Sequence, residues 1–400
     1  MQNFKTTHTL IILIIFAAVY LSSGQFVFSQ EKETDIVVGK RIVFQSKILE
    51  GDLELSICLP TDYATSENKY PVLYDLNSFI SYVYDCGTIE LLSRTLDIPG
   101  IIIIGLPALQ NGYVPTSYEE RKTEPAGADL SLKFIKEELK PFVEKNYRSS
   151  GFDILYGHSV GGLFTMYAMF TQPDLFSAYI ASSPWFQNND QYWLKNIEKM
   201  FQAKSLKGKF LFMTVGKEEQ ELTLSTYTDL EKWMKGHDLK GLVWNSAWFD
   251  NVDHGSMLGK SMYDGIMFIF DGWKIPFDVM ISADIEKIEN YLKGRTVKFG
   301  AKIGSAVPEN QLNQVGYRLI NNKEYDKAIK IFQYNAKLYP NSPNVYDSLA
   351  EAYLTAGDKD NAIKYYKIAI EKNAGKTDYE KRILESSRNK LKELGAEAAK

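Results

Sequence analysis

The chain is poor in cysteine and histidine, with two and four respectively among its 400 residues. Two cysteines allow at most one disulfide, which excludes a fold held together by several bridges. Cys58 lies in a strand-like run, residues 55–59, and Cys86 in a Tyr-rich, helix-like stretch, so we expect two separately buried thiols rather than a bridge. Neither has a histidine or a second cysteine at ligand spacing, and the sequence predicts no metal site and no cofactor.

An excess of charge of either sign is also lacking. The chain has 46 basic and 50 acidic residues and a net charge of −4, which leaves no basic footprint for nucleic acid and excludes that class of partner. A hydrophobic share of 45% with 24% charged residues is typical of a globular protein, and the length accommodates two domains.

Long apolar runs are missing with one exception, residues 10–21, which follow Lys5. Such a run suits the core of a signal peptide and is short for a membrane-spanning helix. We expect a leader over residues 1–29, cleaved after Ser29 or Gly24, and a periplasmic or secreted protein without an integral membrane segment. An uncleaved N-terminal anchor is the alternative.

The most informative stretch is residues 152–162, where an apolar run breaks at Gly157-His158-Ser159-Val160-Gly161 and continues into a helix-like segment. Glycines on both sides of Ser159 allow a sharp strand-to-helix turn and a close approach of substrate. The helix that follows directs free N–H groups at the same point, where they would stabilise an oxyanion. The pattern predicts a nucleophile elbow with Ser159 as the nucleophile.

A serine nucleophile requires a base and an orienting acid, which follow it along the chain in this type of fold. Among the histidines, His8 lies in the expected leader, His237 in a polar turn, and His158 beside the nucleophile with its side chain expected to point away. His254 lies in a polar, Gly-containing loop after the last strand-like run. We therefore predict His254 as the base and a packing role for His158.

The acid is expected after the preceding strand-like run, residues 209–216. The loop that follows carries three carboxylates, those of Glu218, Glu219 and Glu221. Many members of this fold place the acid three residues past the glycine that ends the strand, with an apolar residue three further on. Glu219 satisfies that spacing and is the predicted acid, with Glu218 as the second choice.

The residues around the elbow carry a family resemblance. The helix-like run 134–147 precedes it, and Pro173-Asp174-Leu175-Phe176 and Ser182-Ser183-Pro184-Trp185 follow it. Together they resemble the putative-esterase family of α/β-hydrolases, which includes enterochelin-type siderophore esterases, S-formylglutathione hydrolases, feruloyl esterases and mycolyltransferases. The match spans residues 36–275 and is closest to the siderophore-esterase branch with a C-terminal tetratricopeptide tail.

The resemblance implies an α/β fold with a doubly wound, mostly parallel sheet, followed by an all-α tetratricopeptide-repeat domain. It also implies a serine esterase acting on a small-molecule ester, with Ser159 as nucleophile, Glu219 as acid and His254 as base. The chain departs from the family at Leu76-Asn77-Ser78, where the family usually carries Leu-Asp-Gly. We assign the oxyanion hole to the backbone N–H groups of Val160 and of Ser78 or Phe79.

A second departure leaves the substrate open. Residues 114–122 stand where the family often shows an Arg-rich segment. Aromatic side chains expected around the cleft would suit an aryl or other flat substrate, although such residues belong to a core or a lid more often than to a recognition surface. They are Tyr113, Tyr118, Trp185, Phe186, Tyr192 and Trp193.

An internal repeat of 34 residues relates residues 309–342 to residues 343–376. Small residues recur at matching positions, such as Gly316 and Ala350, as in the packed helix pairs of a tetratricopeptide unit. Two repeats are fewer than a free solenoid needs, so flanking helices are expected to cap them. The tail is expected either to bind a protein partner, or to mediate self-association or cover the esterase domain.

The expected organisation has four parts: a leader at 1–29, an α/β-hydrolase domain at 36–276, a helical linker at 277–308 and a repeat domain at 309–400. The predicted reaction is a two-step acyl transfer to water through an acyl-enzyme. Three alternatives stay open at this point. They are an acyltransferase using the same triad, a non-catalytic hydrolase-like platform for the repeats, and a peptidase.

Overall fold

The computed structural model of the protein describes residues 35–109, 112–113, 127–201, 205–300, 303 and 307–396. The expected leader at 1–29 and the aromatic residue Tyr118 lie outside these ranges, so both expectations stay predictions. Residues 1–37 and 38–400 separate as two units, and every strand and helix below belongs to the second.

Eight strands of the described residues form one sheet in the order β1-β2-β4-β3-β5-β6-β7-β8. The strands are β1 Lys40–Ser46, β2 Gly51–Cys58, β3 Tyr70–Asp75, β4 Ile102–Gly105, β5 Ser149–His158, β6 Ala178–Ser182, β7 Phe210–Gly216 and β8 Val243–Phe249. Strand β2 pairs antiparallel with β1 and β4, and all other pairs are parallel. The sheet confirms the expected mostly parallel, doubly wound architecture.

Helices cover both faces of this sheet, which is why β3, β4 and β7 are buried along their whole length. The helices are α1 Ser78–Arg94, α2 Ala128–Phe134, α3 Lys140–Asn146, α4 Val160–Thr171, α5 Asn188–Lys195, α6 Ile197–Met200, α7 Glu221–Gly236 and α8 Leu258–Ile269. A π-helical turn at Ile135–Leu139 joins α2 to α3. None of the helices in the described ranges is both long and apolar enough to cross a membrane.

Two hydrophobic clusters lie on opposite faces of the sheet. Successive residues of a strand point to opposite faces, and accordingly Val72 and Tyr74 belong to the first cluster while Leu73 belongs to the second. Helix α4 contributes Phe164 to the first cluster and helix α8 contributes Met262 to the second. The sheet is therefore a central layer between two helical layers.

After β8 and α8 the described chain is entirely helical apart from a single bridge at Ile303. The helices are α9 Phe277–Ile281, α10 Ile285–Phe299, α11 Glu309–Asn321, α12 Tyr325–Leu338, α13 Pro343–Thr355, α14 Lys359–Lys372 and α15 Asp378–Glu393. Helices α11 and α13, like α12 and α14, begin one sequence repeat apart. The expected all-helical C-terminal region is confirmed, and its assignment to tetratricopeptide repeats stays a prediction.

The small residues of the repeat are required by helix packing. A Cβ atom on Gly316 would lie 2.4 Å from the ring of Phe332, so α11 and α12 approach closely only because that position is glycine. In the next pair of helices, Ala350 and Tyr366 are buried in one cluster. The matched small and aromatic positions of the sequence repeat therefore lie where paired helices meet.

Cys58 and Cys86 are both unbridged. Both pack against the second cluster, and they hydrogen-bond to each other, which lowers the pKa of Cys58. Whether a bridge forms stays as the sequence left it, but the expectation that the two thiols lie apart is wrong. The end of β2 and the middle of α1 cover the same part of that cluster. Cys58 and Cys86 are therefore close in space although they are far apart in sequence.

The expected linker packs against the α/β unit. Phe299 at the end of α10 lies in the second cluster, with ring-centroid distances of 6.1 Å to Phe152, 5.5 Å to Phe270 and 5.8 Å to Trp273. Beyond it, Ile303 forms a parallel bridge with Lys69. The aromatic core therefore continues past the expected boundary at residue 276, and the domain limits stay predictions.

We predict that Phe299→Ala lowers the free energy of unfolding by about 3–5 kcal/mol, because it empties a packed aromatic site. Val297 on the same helix is 87% exposed against 3% for Phe299, so Val297→Ala should change stability by less than about 0.5 kcal/mol. Urea unfolding of the full chain followed by circular dichroism makes the comparison. Equal midpoints for the two variants would show that α10 is not part of this core.

Candidate active site

Ser159 lies in the sharp turn between β5 and α4, with φ 57° and ψ −116°. L-residues rarely adopt a positive φ, so the turn holds this serine in a strained conformation. A Cβ atom on Gly157 would lie 2.1 Å from the carbonyl oxygen of Gly161, and one on Gly162 would lie 2.7 Å from that of Ser182. These two glycines allow α4 to pack tightly behind the serine.

His254 and Glu219 meet in the loops that follow β8 and β7. The Nδ1 atom of His254 lies 2.8 Å from Oε2 of Glu219. The Glu219 side chain is 2% exposed and that of His254 is 48% exposed, so the acid is enclosed while the imidazole reaches the surface. The N–H of Glu218 donates to the carbonyl of Val252 at 3.1 Å and ties the two loops together.

The electrostatics of this pair follow from that hydrogen bond. It raises the pKa of His254 above the usual value, against the opposing effect of burial. Burial alone would raise the pKa of Glu219, but hydrogen bonds from His254 and Ser183 outweigh it and leave that pKa lowered. An imidazole that donates from Nδ1 to a carboxylate has its other nitrogen, Nε2, available to accept a proton.

His158 packs against His254, a contact that the sequence did not reveal. The two ring centroids are 4.4 Å apart and the ring planes are inclined by 45°. Burial, followed by the charge of His254, lowers the pKa of His158 to about 4, so this imidazole is neutral near pH 7. His158 was expected to have a packing role, and in the structure the group that it packs against is the candidate base.

A chain of buried hydroxyl groups orients the His158 ring. Nδ1 of His158 lies 3.1 Å from Oγ of Ser182, which donates to Oγ of Ser261 at 3.0 Å. Oγ of Ser261 in turn lies 2.7 Å from Oγ1 of Thr214. Because the Ser182 hydroxyl donates onward, it accepts from Nδ1–H of His158. These residues come from β6, β7 and α8, and only the fold brings them together.

Ser183 is a second group that sequence reasoning missed. Its Oγ lies 3.2 Å from Nδ1 of His254, and its backbone has a positive φ of 42°. Its N–H donates to the carbonyl of Thr214 at 2.8 Å, which anchors the end of β6 beside β7. The only sequence signal was its place in the Ser-Ser-Pro-Trp motif of the family resemblance.

The three candidate oxyanion-hole residues all lie at helix N-termini. Val160 is the first residue of α4, and Ser78 and Phe79 are the first two residues of α1. Backbone N–H groups in the first turn of a helix have no acceptor within that helix. The two helix starts are joined by a hydrogen bond of 2.9 Å from the N–H of His158 to Oδ1 of Asn77.

Ser159, Glu219 and His254 line one cleft of about 330 Å³. Its other lining residues are Trp185, Gln187, Glu218, Gln220, Thr223, Asp253 and Gly255. Glu218 therefore lies in the cleft, although its carboxylate makes no hydrogen bond to His254 among the contacts of the described residues. Within the described ranges, no three His, Cys, Asp or Glu side chains are arranged to hold a metal ion.

The expected aromatic lining is mostly absent from this cleft. Of the five expected aromatic residues that the structure describes, Trp185 alone lines it. Tyr113, Phe186 and Trp193 are buried in the first cluster, and Tyr192 packs at its edge. These aromatic side chains pack into the hydrophobic core, because α4 and the loop after β6 enclose them.

The family model described as putative esterase matches residues 46–258, more than half of the chain. One curated relative is the Ferri-bacillibactin esterase BesA of Bacillus subtilis, 30% identical over 151 residues, 32% of this chain and 52% of that protein. Another is the Siderophore triacetylfusarinine C esterase of Aspergillus fumigatus, 27% identical over 173 residues, 37% of this chain and 59% of that protein. The chain thus spans little more than half the length of these relatives.

Among solved structures, an IroE-like serine hydrolase from Shewanella oneidensis has the same fold. It superimposes with a TM-score of 0.63 at 24% sequence identity, covering 75% of this chain and 99% of that one. The match supports the fold alone, while the family match rests on the sequence of residues 46–258. The chain belongs to the putative esterase family of α/β-hydrolases, with siderophore esterases among its relatives.

Proposed function

We propose that the protein is a serine hydrolase of carboxylic esters, with Ser159 as nucleophile, His254 as base and Glu219 as acid. The observation that carries the proposal is the 2.8 Å hydrogen bond between His254 Nδ1 and Glu219 Oε2 in a cleft that Ser159 also lines. The elbow geometry of Ser159 and the family membership of the chain support the same assignment.

In the first step, Oγ of Ser159 attacks the ester carbonyl while Nε2 of His254 takes its proton. The tetrahedral intermediate collapses, and the leaving alkoxide receives that proton from His254. Water, with His254 again as base, then attacks the acyl-enzyme and releases the carboxylic acid. Throughout both steps the Glu219 carboxylate holds the imidazole ring and stabilises its protonated form.

The oxyanion is held by backbone N–H groups in this proposal. The N–H of Val160 and that of Ser78 or Phe79 come from two adjacent helix N-termini. A helix N-terminus carries a partial positive charge, and fixed N–H donors stabilise developing negative charge without reorganisation. The hydrogen bond from the N–H of His158 to Asn77 keeps these two donors in register.

The proposed substrate class is a siderophore ester or lactone, with aryl esters as the broader class. Support comes from the two relatives named for siderophore esterase activity. A cleft of about 330 Å³ is at the small end of ligand pockets, so it takes the scissile ester and one neighbouring group. The remainder of a larger substrate would extend beyond this cleft.

A panel of siderophore-lactone, aryl, feruloyl and acetyl esters tested with the purified protein decides the substrate class. Highest kcat/KM on the lactone supports the proposal, and a preference for simple acetyl esters contradicts the substrate while leaving the esterase intact. The alternative of acyl transfer to an alcohol is tested in the same reactions. An added alcohol acceptor that enters the product in place of water would establish a transferase.

Ser159→Ala and His254→Ala should each lower kcat by roughly three to six orders of magnitude, because the members of a triad act as a unit. Matched controls are Ser225→Ala and His237→Ala, whose side chains bond the Leu222 carbonyl and Glu198 respectively. Labelling by a fluorophosphonate probe should be lost in Ser159→Ala alone among the serine variants. Activity above a tenth of wild type in a folded triad variant would contradict the assignment.

Glu219→Gln should lower kcat at least about tenfold more than Glu218→Gln, since of these two carboxylates it is Glu219 that bonds the base in the described structure. The same hydrogen bond raises the pKa of His254, and catalysis requires that imidazole in its neutral form. Removing the carboxylate therefore lowers that pKa, and the acid limb of the kcat/KM profile should move to lower pH. A reversed ranking would identify Glu218 as the acid.

His158→Ala should lower kcat by about tenfold or more with KM within about threefold, because a displaced base loses alignment with the serine hydroxyl. Ser182→Ala, which removes the hydroxyl that orients His158, should have a smaller effect in the same direction. His237→Ala is again the control. Unchanged kcat in a folded His158→Ala protein would show that the ring contact does not position the base.

A further inference from the structure

Helix α1 is apolar on both of its long faces. Its inward face buries Ile89 and Leu92 in the second cluster. Its outward face carries five large apolar side chains that are 53–67% exposed. They are Phe79, Ile80, Val83, Tyr84 and Leu91, and we call them the α1 outward face.

Charge on this side of the helix is confined to its last turns, where Glu90 pairs with Arg94. Asp85 is buried and bonds Ser81. The five apolar side chains precede or flank that ion pair, and an apolar stripe on a helix normally packs against another element. With on the order of 200 Å² for a large apolar side chain and about 60% of it accessible in each of the five, the face exposes roughly 600 Å².

That area is at the upper limit of about 300–600 Å² for the largest apolar patch on a monomeric protein. It also approaches the roughly 800 Å² that each partner buries in a standard protein interface. The α1 outward face therefore has the size of a contact surface. Its five apolar side chains, two of them aromatic, suit the centre of such a surface, and the Glu90–Arg94 ion pair suits its rim.

The spacing of the outward residues matches the seam of a helix pair. Ile80, Tyr84, Gly87 and Leu91 follow one another at intervals of four, three and four residues, which is the a/d spacing of two packed helices. A Cβ atom on Gly87 would meet nothing within 4 Å. The seam therefore has an open notch in its middle.

The same seam is complementary to itself. In an antiparallel pair of these helices that is centred between Asp85 and Cys86, Ile80 of one copy lies opposite Leu91 of the other, and Tyr84 lies opposite Gly87. A second copy of α1 running antiparallel thus sets Tyr84 into the notch at the partner's Gly87, as a two-fold symmetric interface requires. The Tyr84 ring already rests on Gly259 of α8, which holds it in place before any contact.

A membrane surface fits this face less well. Helices that lie on membranes carry many Lys and Arg residues beside their apolar face, whereas α1 contains one Arg and no Lys. The chain as a whole has a net charge of −4, so anionic lipids would not attract it. The observations favour a protein partner with the same seam.

We propose that the α1 outward face is a homodimer interface, in which two copies of α1 pack antiparallel with Tyr84 of each opposite the partner's Gly87. The 17-residue helix is about 25 Å long, enough for the whole seam to be paired. The pairing uses Ile80, Tyr84, Gly87 and Leu91, none of which belongs to the triad or to the proposed oxyanion hole. Phe79, whose N–H is a candidate oxyanion donor, lies beside this seam.

Sedimentation equilibrium of the full chain tests the proposal. Wild type should be a dimer at about 10 µM, and Ile80→Glu combined with Tyr84→Glu should be monomeric with an unchanged circular dichroism spectrum. Val297→Glu places the same charge on a residue that is 87% exposed on α10 and should leave the dimer intact. A monomeric wild type, or a double variant that still dimerises, would overturn the proposal.

Gly87→Leu distinguishes this specific interface from non-specific hydrophobic association. Leucine suits a helix better than glycine and meets no atom of its own chain within 4 Å at Cβ, but it fills the notch that receives the partner's Tyr84. We expect the dimer dissociation constant to rise at least about tenfold. Stronger association by Gly87→Leu would contradict the proposed pairing. So would a monomeric wild type that floats with phosphatidylglycerol vesicles, if the Ile80→Glu, Tyr84→Glu double variant does not float with them.

Discussion

The parallel pairing of β5 to β8 is the constraint on which the candidate site depends. Neighbouring parallel strands end at the same edge of the sheet, so the loops after them meet whatever their distance along the chain. Ser159, Glu219 and His254 follow β5, β7 and β8 respectively. Strand β6 lies between β5 and β7 and contributes Ser182 and Ser183 to the same edge.

Enclosure by the fold then sets the chemistry of these groups. Glu219 is almost fully enclosed but keeps its charge, because His254 and Ser183 supply hydrogen bonds that offset the effect of burial on its pKa. His158 is half-buried, its Nδ1 bonds the Ser182 hydroxyl, and burial lowers its pKa to about 4, which leaves it neutral near pH 7. A charged carboxylate and a neutral imidazole thus flank His254 from two directions, and both follow from burial and hydrogen bonding together.

The other face of the sheet shows how the helical region is joined to the α/β unit. Phe299 completes an aromatic cluster with Phe152 and Phe270, and the cation of Arg295 lies over the ring of Trp273 at 4.1 Å. Helix α10 is thereby part of the hydrophobic core as well as the start of the all-helical region. Helix α1, by contrast, leaves an apolar face outside that core, and this asymmetry singles it out as a contact surface.

Much of the fold was predictable from the sequence because its signals are local. Apolar runs, the Gly-x-Ser-x-Gly turn and the spacing after β7 lie within short segments, and they named Ser159, Glu219 and His254. The mostly parallel sheet was implied by the family resemblance that the segments around the elbow carry. The helical C-terminal region was predictable for the same reason, since its repeat is read directly from residues 309–376. The structure brings the three named residues into one cleft, and their catalytic roles stay a proposal.

What the sequence could not determine depends on which side chains face each other across elements. The proximity of Cys58 to Cys86, the packing of Phe299 into the second cluster and the burial of Tyr113 and Trp193 were missed or predicted differently. The contact of His158 with His254 joins residues almost one hundred positions apart. The amino-acid sequence by itself determined the main strands and helices and named the candidate reactive groups, because both depend on short segments. The tertiary structure alone decided their surroundings, because burial and hydrogen-bond partners exist only once the sheet and its helices have packed.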